Sequence, residues 1–599
     1  MYSQFLQTSK KFLKLISKTE KKNIVRLIFL LSSISLIEVI GVASIFPFLA
    51  IVSNPEVVFE NNFLNFIYLI FEKNYKNFNI NSFMILLGLV SFTMILLSNI
   101  LRIYSIYKVN KFNETIRHNI SLKLLTKYIY QPYEYFTLRH TSELTKNVMS
   151  EIDFLIINVL RPVMQMISYL FVLVSIILLL LLINPLILIT AILLIIILYY
   201  SIYLLSKKRI AEYGDIIVNA NKKRFNTISD ALNGIKFIKM QDIEHIYSKE
   251  YEKNSLRYIQ PLYKFQTIVQ SPKFFLEALV FGAAIIIITS ILVMFPTSTI
   301  NDYIPLIGLY VVSAYKVQPG INALYEGISS IRYGHSVIKN LSNEFKTTKK
   351  IKNLSALKDK YKMQPKKEIY LKNISFKYKT SKNIINKFNL RIKVGDNLGL
   401  FGLSGSGKTT LLDLISGLNL PSKGNIYLDG KKINSKNILH WRSCIDYIQQ
   451  EIFIKEGSFA ENIAFGIPKN QIDYDKVFKC AKIACIHDFI VNFKKGYDEK
   501  VGERGNRISG GQNQRIGIAR ALYKDPDILI LDEATNALDS KTEKKVVKSL
   551  CKHMTDKTMI IVSHKLELLE YCDNIIFLEN GKIKSNSQYK RIKSLTKIN

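Results

Sequence analysis

The sequence predicts a multidomain fold in which an all-α domain of six membrane-spanning helices precedes an α/β P-loop domain. Long apolar runs crowd the first 325 of the 599 residues, whereas the remainder alternates apolar and polar residues as soluble domains do. A glycine-rich motif that is typical of phosphate binding lies in this second part, at residues 402–409. We therefore expect a transmembrane domain at residues 1–335, a linker at 336–364 and the P-loop domain at 365–599.

Six segments are long enough to cross a bilayer, which takes about 20 apolar residues in a helix. They are Ile24–Val52, Phe83–Tyr107, Val163–Ile183, Leu186–Leu205, Phe274–Met294 and Ile304–Tyr325. Only Asn184 and Pro185 separate the third segment from the fourth, so we expect a tight hairpin there. Pro47 should kink the outer end of the first segment.

The formal net charge of +35 could indicate a nucleic-acid partner, because basic surfaces attract phosphates. Lys and Arg instead concentrate before the first segment and in the connections at 108–162 and 206–273, while 184–185 and 295–303 contain neither residue. Membrane proteins keep Lys- and Arg-rich connections on the cytoplasmic side. We therefore expect both termini in the cytoplasm and no nucleic-acid partner.

The five cysteines lie after residue 443 and form no CxxC pair, which suits reduced thiols in a cytosolic domain. The start of the chain lacks a short signal-peptide core with a cleavage site. We therefore expect the first apolar segment to remain in place as a membrane anchor.

The two inner connections carry amphipathic helical patterns and should project below the membrane as helices. Short stretches within them, Pro132–Phe136 and Gly234–Lys239, are candidate coupling helices that would contact the second domain. The outer stretch Phe63–Phe71 is apolar but too short to span, so we expect an interfacial helix on the outer surface.

The phosphate-binding motif follows an apolar strand, 398–401, and precedes a helix that starts near Thr410. Glycines in such a loop let successive backbone N–H groups close around phosphates at a helix N-terminus. The expected nucleotide-binding residues here are Gly402, Ser404, Gly405, Ser406, Gly407, Lys408, Thr409 and Thr410. Lys408 would reach the β- and γ-phosphates, and the Thr409 hydroxyl would bind Mg²⁺.

A second motif is an apolar strand, 528–531, that ends in Asp532 and Glu533. Asp532 at the tip of a buried strand would hold Mg²⁺ directly or through water. Glu533 would polarise the attacking water as the general base.

A third motif, Ser509-Gly510-Gly511-Gln512, opens a helix and resembles the signature sequence of the ATP-binding-cassette family. The remaining family positions occur in the expected order. Tyr378 resembles the aromatic residue that stacks on adenine, and Gln450 the glutamine that senses Mg²⁺. Glu503 resembles an exporter-type contact to the coupling helices, Asp539 the dimer-facing aspartate and His564 the γ-phosphate switch. Asn536 departs from this pattern, because the family usually has Ser there.

The resemblance implies a transport-coupled ATPase that uses ATP and Mg²⁺ and works as a dimer. The signature residues of one subunit cap the ATP held by the phosphate loop of the other, so a single copy cannot complete a site. Because Glu533, His564, Gln450 and Lys408 are all present, we expect two competent sites in a homodimer. A paralogous partner subunit remains an alternative.

Three basic residues in or beside the apolar segments are candidate substrate contacts, because charges there are costly and often functional. Arg102, Lys273 and Lys316 could face a shared cavity and suit a pyrophosphate headgroup. For Arg102 and Lys273 the alternative is snorkelling to the inner headgroups. For Lys316 it is pairing with Glu38 or Glu277.

The membrane half also resembles bacterial flippases of lipid-linked oligosaccharides. The similar stretches are Ile37-Glu38 with Pro47-Phe48, Pro272-Lys273 with Leu276-Glu277, and Tyr315-Lys316 with Pro319. The resemblance implies export in the bacterial inner membrane in support of protein glycosylation. The lipid tail would stay in the bilayer while the polar head crosses along the basic lining. A peptide or bacteriocin exporter, and a lipid A-like, polysaccharide or drug exporter, are the alternatives.

Overall fold

The computed structural model describes residues 16–75, 78–183, 185–294, 300–347, 363–378, 383–502 and 508–587. Its contacts divide the chain into two compact units. The first unit lies within residues 1–131 and 139–351, and the second within 132–138 and 352–599.

The described part of the first unit is helical. Its helices are Lys18–Ala43, Ile45–Ser53, Val57–Glu60, Asn62–Asn74, Ile80–Ile129, Thr141–Lys146, Ile152–Leu155, Arg161–Ile183, Pro185–Asn233, Ile235–Gln241, Glu244–Met294, Ile300–Tyr333 and His335–Thr347. Two π-helical turns, Asn147–Glu151 and Ile156–Leu160, interrupt the helix that leads into Arg161–Ile183. The sequence pattern did not predict these turns.

Four helical stretches among the described residues are long and apolar enough to cross a membrane: Lys18–Ser53, Ile80–Ile129, Thr141–Leu182 and Leu188–Asn233. They contain the first four expected spans. The fifth and sixth expected spans fall within the helices Glu244–Met294 and Ile300–Tyr333, and residues 295–299 between those helices lie outside the described part. Asn184, in the expected hairpin turn, also lies outside it, while Pro185 begins the next helix.

The first expected span is broken near its outer end. The Lys18–Ala43 helix ends at Ser44, and a new helix begins at Ile45. Pro47 is the third residue of that new helix, in the first turn, where its missing N–H group removes no intrahelical hydrogen bond. The expected interruption is therefore present, three residues before the proline.

The outer apolar stretch forms the helix Asn62–Asn74, as its sequence indicates. Tyr68 on one face packs edge-on against Phe83, at a ring-centroid distance of 5.5 Å. Phe63 and Phe66 on another face are exposed by 70% and 64%. One apolar face is thus packed on its own unit and another is left uncovered, which is the pattern expected of an interfacial helix.

The inner connections are helical, and they continue the helices of the spans well past the apolar segments. The two candidate coupling stretches form short helices, Tyr133–Thr137 and Ile235–Gln241. The first twelve residues of the expected linker are also helical, within His335–Thr347, and residues 348–362 lie outside the described part.

The second unit contains two sheets. A four-stranded antiparallel sheet has the order β2-β1-β4-β5, and a six-stranded sheet has the order β10-β9-β3-β8-β7-β6. In the larger sheet all neighbours are parallel except β10 and β9. The strands are β1 Glu368–Phe376, β2 Ile385–Lys393, β3 Asn397–Gly402, β4 Lys423–Leu428, β5 Lys431–Lys432, β6 Ile445–Ile448, β7 Ile528–Asp532, β8 Thr558–Val562, β9 Asn574–Glu579 and β10 Lys582–Ser587.

Helices cover the larger sheet, whose central strands are buried along their whole length, as in parallel sheets generally. The α-helices of the second unit are Tyr133–Thr137, Lys408–Ile415, Ile438–Arg442, Phe459–Ile463, Tyr474–Ile483, His487–Val491, Gly510–Tyr523 and Ser540–His553. Short 3₁₀ helices are Lys469–Gln471, Gly496–Asp498 and Leu566–Tyr571. The domain is α/β, as the sequence predicts.

Candidate functional site

The site of the second unit lies where three adjacent parallel strands end. β3, β8 and β7 are neighbours in the sheet, and their carboxyl ends therefore lie at one edge. The phosphate loop follows β3. Asp532 is the last residue of β7 and Glu533 follows it, and His564 comes two residues after β8. In α/β sheets this edge is where ligands bind.

The phosphate loop has the backbone that its glycines predict. Gly405 and Gly407 have φ values of +80° and +99°, which L-residues with a Cβ rarely adopt. The Lys408–Ile415 helix starts directly after Gly407. A Cβ on Gly402 would lie 2.4 Å from the Leu578 carbonyl oxygen, so glycine is required there by close approach.

Lys408 is folded back over its own loop. Its Nζ donates to the carbonyl oxygens of Gly402, at 2.7 Å, and Leu403, at 3.1 Å. Burial lowers its pKa, while the nearby carboxylates Glu533 and Asp532 act to raise it. The Oγ atom of Ser406 is buried in the same loop without a hydrogen-bond partner. A buried cation and an unsatisfied hydroxyl, beside a helix N-terminus, fit a bound polyphosphate.

Asp532 is held at the tip of β7 by Tyr447 of the neighbouring strand β6. The Tyr447 hydroxyl donates to Asp532 Oδ2 at 2.8 Å. Burial raises the pKa of Asp532, and the Tyr447 hydrogen bond opposes this shift. A cation at this carboxylate would compensate for its burial.

Glu533 is the centre of a hydrogen-bonded cluster. Its Oε1 lies 2.7 Å from His564 Nε2, and its Oε2 accepts from Gln450 Nε2 at 3.2 Å and from Asn536 Nδ2 at 2.8 Å. Glu533 also has a left-handed backbone, with a φ of +52°. Such conformations cost about 1–3 kcal/mol and cluster at functional sites. The carboxylate is therefore fixed in position from three sides.

The expected magnesium ligands are all oxygen donors, which is the donor type that Mg²⁺ takes. Thr409 is exposed at the start of the Lys408–Ile415 helix. Gln450 uses its amide nitrogen on Glu533, which leaves the amide oxygen available. Within the described ranges, no three His, Cys, Asp or Glu side chains are grouped as a metal site. The expected magnesium site has only one carboxylate, beside a hydroxyl and an amide, so it does not depend on such a group.

The signature motif begins the Gly510–Tyr523 helix. Ser509 is the N-cap: its Oγ accepts from Gln512 N at 3.3 Å, and Gln512 Oε1 accepts from Ser509 N at 2.7 Å. This reciprocal pair is a capping box. A Cβ on Gly511 would lie 2.9 Å from the Ala537 carbonyl oxygen, which explains the glycine.

The structure does not join every expected residue into one cluster. Across the described ranges, no hydrogen bond or ion pair links Ser509–Gln512 to the phosphate loop. Asp539 caps the Ser540–His553 helix, accepting from Thr542 N at 2.9 Å, and this bond lowers its pKa. Tyr378 is half-buried and packs edge-on against Phe376 at 5.0 Å. Thr410 is buried within the first helical turn, and Glu503 lies outside the described residues.

Three site residues were not predicted from the sequence as such. Tyr447 orients Asp532, and Asn536 orients Glu533, although Asn536 was noted only as a departure from the family pattern. Gln514 accepts from Ala537 N at 3.0 Å and so joins the signature helix to the segment after Glu533. Asn536 lies three residues after Glu533 in the loop that follows β7, and its departure from the family pattern is the one sequence signal for its role.

Two of the three basic candidates in the first unit lie in the same region. Lys316 Nζ is 3.6 Å from Glu38 Oε1 and donates to Asn99 Oδ1 at 3.4 Å. Arg102 lies one turn beyond Asn99 on the same helix, so the two side chains share a face. The Arg102 guanidinium is 4.0 Å from the centre of the Tyr169 ring and donates to Ser168 Oγ at 3.1 Å.

Lys273 is exposed on the Glu244–Met294 helix, and the described contacts do not tie it to the other two. The pairing of Lys316 with Glu38, considered above as an alternative to a substrate contact, is present. It is a loose pair, and the second carboxylate oxygen of Glu38 is buried without a partner. The structure thus groups Lys316, Glu38 and Asn99, with Arg102 nearby.

Comparison with known proteins gives matches for both units. Residues 385–536 match the ABC transporter family model, and residues 44–313 match that of the ABC transporter transmembrane region. ABC transporter B family member 17 of Arabidopsis thaliana is 41% identical over 200 residues, which are 33% of this chain and 16% of that protein. ABC transporter B family member 2 of Dictyostelium discoideum is 43% identical over 200 residues, or 33% of this chain and 14% of that protein.

The fold of the whole chain resembles that of a bacterial Atm1-family ABC exporter whose structure was solved with ATP bound. The TM-score is 0.76, with 97% of each chain covered and 19% sequence identity, which supports a shared fold alone. The two family matches occur in the order membrane region and then ATPase. Residues 44–313 therefore resemble the transmembrane region of ABC transporters and residues 385–536 the ABC transporter ATPase domain, and the chain has the fold of an ABC exporter, a helical membrane domain fused to an α/β domain.

Proposed function

We propose that this chain is an ATP-driven exporter that flips a lipid-linked pyrophosphate oligosaccharide across the bacterial inner membrane, with both termini in the cytoplasm. The observation that carries the cargo proposal is the polar group within the membrane-spanning helices. There Lys316, Asn99 and Arg102 place two cations and an amide on neighbouring surfaces of two helices. A pyrophosphate would find charge-assisted donors on both sides.

ATP hydrolysis, which drives the proposed cycle, takes place at the carboxyl ends of β3, β7 and β8. Lys408 and the loop amides bind the β- and γ-phosphates, and Thr409, Gln450 and Asp532 hold Mg²⁺, which neutralises phosphate charge. Glu533, fixed by Asn536 and His564, orients and deprotonates the attacking water. Among the described residues no hydrogen bond joins Ser509, Gly510 or Gly511 to this loop, which supports the proposal that they cap ATP bound by a second copy.

The functional unit in this proposal is a homodimer. ATP favours the closed pair of ATPase domains, and hydrolysis releases it, so the differential affinity for the closed state drives the membrane helices between conformations. An anionic headgroup would compete with Glu38 for Lys316. At 3.6 Å that pair is longer than a tight ion pair, although Glu38 is buried and would need another partner after the exchange.

Proteoliposomes that contain the purified chain test the cargo directly. Labelled pyrophosphate-linked glycolipid should change leaflet only with ATP, while peptides should not be transported. Lys316→Ala should lower flipping by about tenfold or more, because it removes a charge-assisted contact, while basal ATP hydrolysis persists. Lys249→Ala, an exposed lysine outside the predicted spans, is the matched control. Unchanged flipping by Lys316→Ala would favour the peptide exporter.

A further inference from the structure

A cavity of about 430 Å³ lies between two long helices of the first unit, in their parts beyond the apolar spans. The helices are Pro185–Asn233 and Glu244–Met294. Its volume is within the range of pockets that hold small molecules, about 300–1,000 Å³. Neither the ATP site nor the polar group around Lys316 includes any residue of this cavity.

The charged lining of the cavity is entirely positive. Lys223 comes from the first helix, and Arg257 and Lys264 come from the second. All three are exposed, and none forms an ion pair with another described residue. No acidic side chain lines this cavity. Three cations that converge without internal neutralisation create a local potential that attracts anions.

The neutral lining can also recognise a ligand. Tyr213, Asn219 and Gln260 supply a hydroxyl and two amides. Pro261 is buried inside the second helix, where it has no N–H group to donate. The carbonyl oxygen of Arg257, four residues earlier, therefore lacks its helical partner. Cationic side chains and an unpaired carbonyl oxygen, which can accept from a hydroxyl group or water, thus lie close together on this helix.

A second cavity of about 460 Å³ adjoins the first and shares Lys223 and Arg257. It differs in charge, because Asp230 and Glu250 line it together with Lys253. The second cavity thus has three cations against two carboxylates, so the excess of positive charge is larger in the first cavity. A ligand would place its anionic group there and could extend hydroxyl or amino groups towards the two carboxylates.

The distance of the cavity from the membrane decides whether its ligand is a soluble anion or a lipid headgroup. The fourth predicted span ends at Leu205, so at 1.5 Å per residue Tyr213 lies about 12 Å and Lys223 about 27 Å further along the helix. Even a helix tilted by about 40° would leave them about 9 and 21 Å below the span. The headgroup layer is only about 5–8 Å thick on each side. Most of the cavity is therefore below the reach of a lipid phosphate.

We propose that this cavity is a binding site for a soluble anion that carries a phosphate or pyrophosphate group. Arg257 donates hydrogen bonds to two phosphate oxygens through its planar guanidinium, and Lys223 and Lys264 neutralise the remaining charge. The site is independent of the transported cargo. Because its two walls are the helices that lead into the fourth and fifth predicted spans, an occupied cavity ties those helices together.

The test is equilibrium binding of labelled inorganic pyrophosphate to the full chain in phosphatidylcholine nanodiscs. Every protein tested carries Lys408→Ala, so that the phosphate loop loses its main phosphate contact and does not bind the probe. One saturable site per chain is expected. Lys223→Gln with Arg257→Gln should weaken binding at least about tenfold, since two charge-assisted contacts are lost. Lys253→Gln, which lines only the neighbouring cavity, should change it less than about twofold.

Arg257→Lys, which keeps the charge but loses the planar fork, should bind with intermediate affinity. Equal melting temperatures show that the variants are folded. Pyrophosphate binding that is absent, or that the double variant leaves unchanged, overturns the proposal. The same measurement in nanodiscs with phosphatidylglycerol distinguishes the source of the phosphate. If this lipid abolishes the Lys223- and Arg257-dependent binding, headgroups occupy the cavity and the soluble ligand is ruled out.

Discussion

The two units distribute their polar and apolar side chains in opposite ways. In the membrane helices large apolar residues face outward, with Leu182 exposed by 85% and Phe29 by 74%, while Ser98 and Ser105 are buried between helices. In the ATPase unit the strand residues Ile528 and Ile560 are fully buried. Lipid removes the penalty for exposed apolar surface, so the membrane helices associate through small and polar residues instead.

This difference explains why the two units reveal their functions so unequally. In the ATPase unit, chemistry depends on a few residue types at fixed places, such as Lys408 and Glu533, and their order in the sequence is itself diagnostic. In the membrane unit, most positions need only be apolar. The contacts that could select a cargo, such as Lys316 with Asn99, are few and distant in sequence.

The largest expected effect is at the ATPase site. Glu533→Gln should keep ATP binding and lower the turnover rate by about 10²–10⁴-fold, as expected for loss of a general base. Single-turnover hydrolysis and nucleotide-binding assays measure the two properties separately. Normal turnover would show that another group activates the water, and the ATPase unit would then be no easier to interpret than the membrane unit.

The second-largest expected effect also concerns the ATPase unit. Asn536→Ala removes the 2.8 Å hydrogen bond to Glu533 Oε2, and Gln450 remains at 3.2 Å. We expect kcat to fall about tenfold with little change in KM, because one charge-assisted hydrogen bond is worth about 1.5–3 kcal/mol. Asn492→Ala, at an exposed helix end far along the chain, is the control. A change confined to KM would contradict a positioning role.

The membrane unit offers a matched test of packing. A Cβ on Gly214 would lie 2.1 Å from the backbone oxygen of Tyr333, so the two helices meet there at backbone distance. Gly214→Ala should destabilise the chain by about 1–3 kcal/mol through overpacking. Gly282→Ala, with no atom within 4 Å of its Cβ, should not. Thermal unfolding in detergent distinguishes the two, and equal stability would show that this helix contact is not close in solution.

The smallest effect is a pH dependence in the ATPase unit. Burial, with a smaller contribution from Asp532, raises the pKa of Asp413 to about 6. Because the folded state then binds the proton more tightly than the unfolded state, stability falls as pH rises from about 4 to 6. Asp413→Asn should stabilise the chain by about 1–2 kcal/mol at pH 8, after allowance for solvent screening, and hardly at pH 4. Unfolding measured at both pH values checks this, and an equal gain at each would exclude the carboxylate as the cause.

Much of the fold followed from sequence because its signals are local. Apolar length predicts the helices, and the Ser509 motif predicts a helix start that the structure contains. Residues such as Tyr447 and Asn536 could not be predicted, because their roles depend on which strand or loop lies next to them. The Lys316–Glu38 pair was foreseen only as one alternative, since sequence gives the depth of a residue in a helix but not its neighbour.

The two π turns at Asn147–Glu151 and Ile156–Leu160 change how the Arg161–Ile183 helix should be aligned with its relatives. Each π turn takes in one residue more than an α turn and so shifts everything after it by about 100° around the helix axis. Together they turn the later helix by more than half a revolution, close to the buried Lys146–Glu151 ion pair. A homologue without these turns would need two single-residue gaps before its Ser168 and Tyr169 equivalents face the same way.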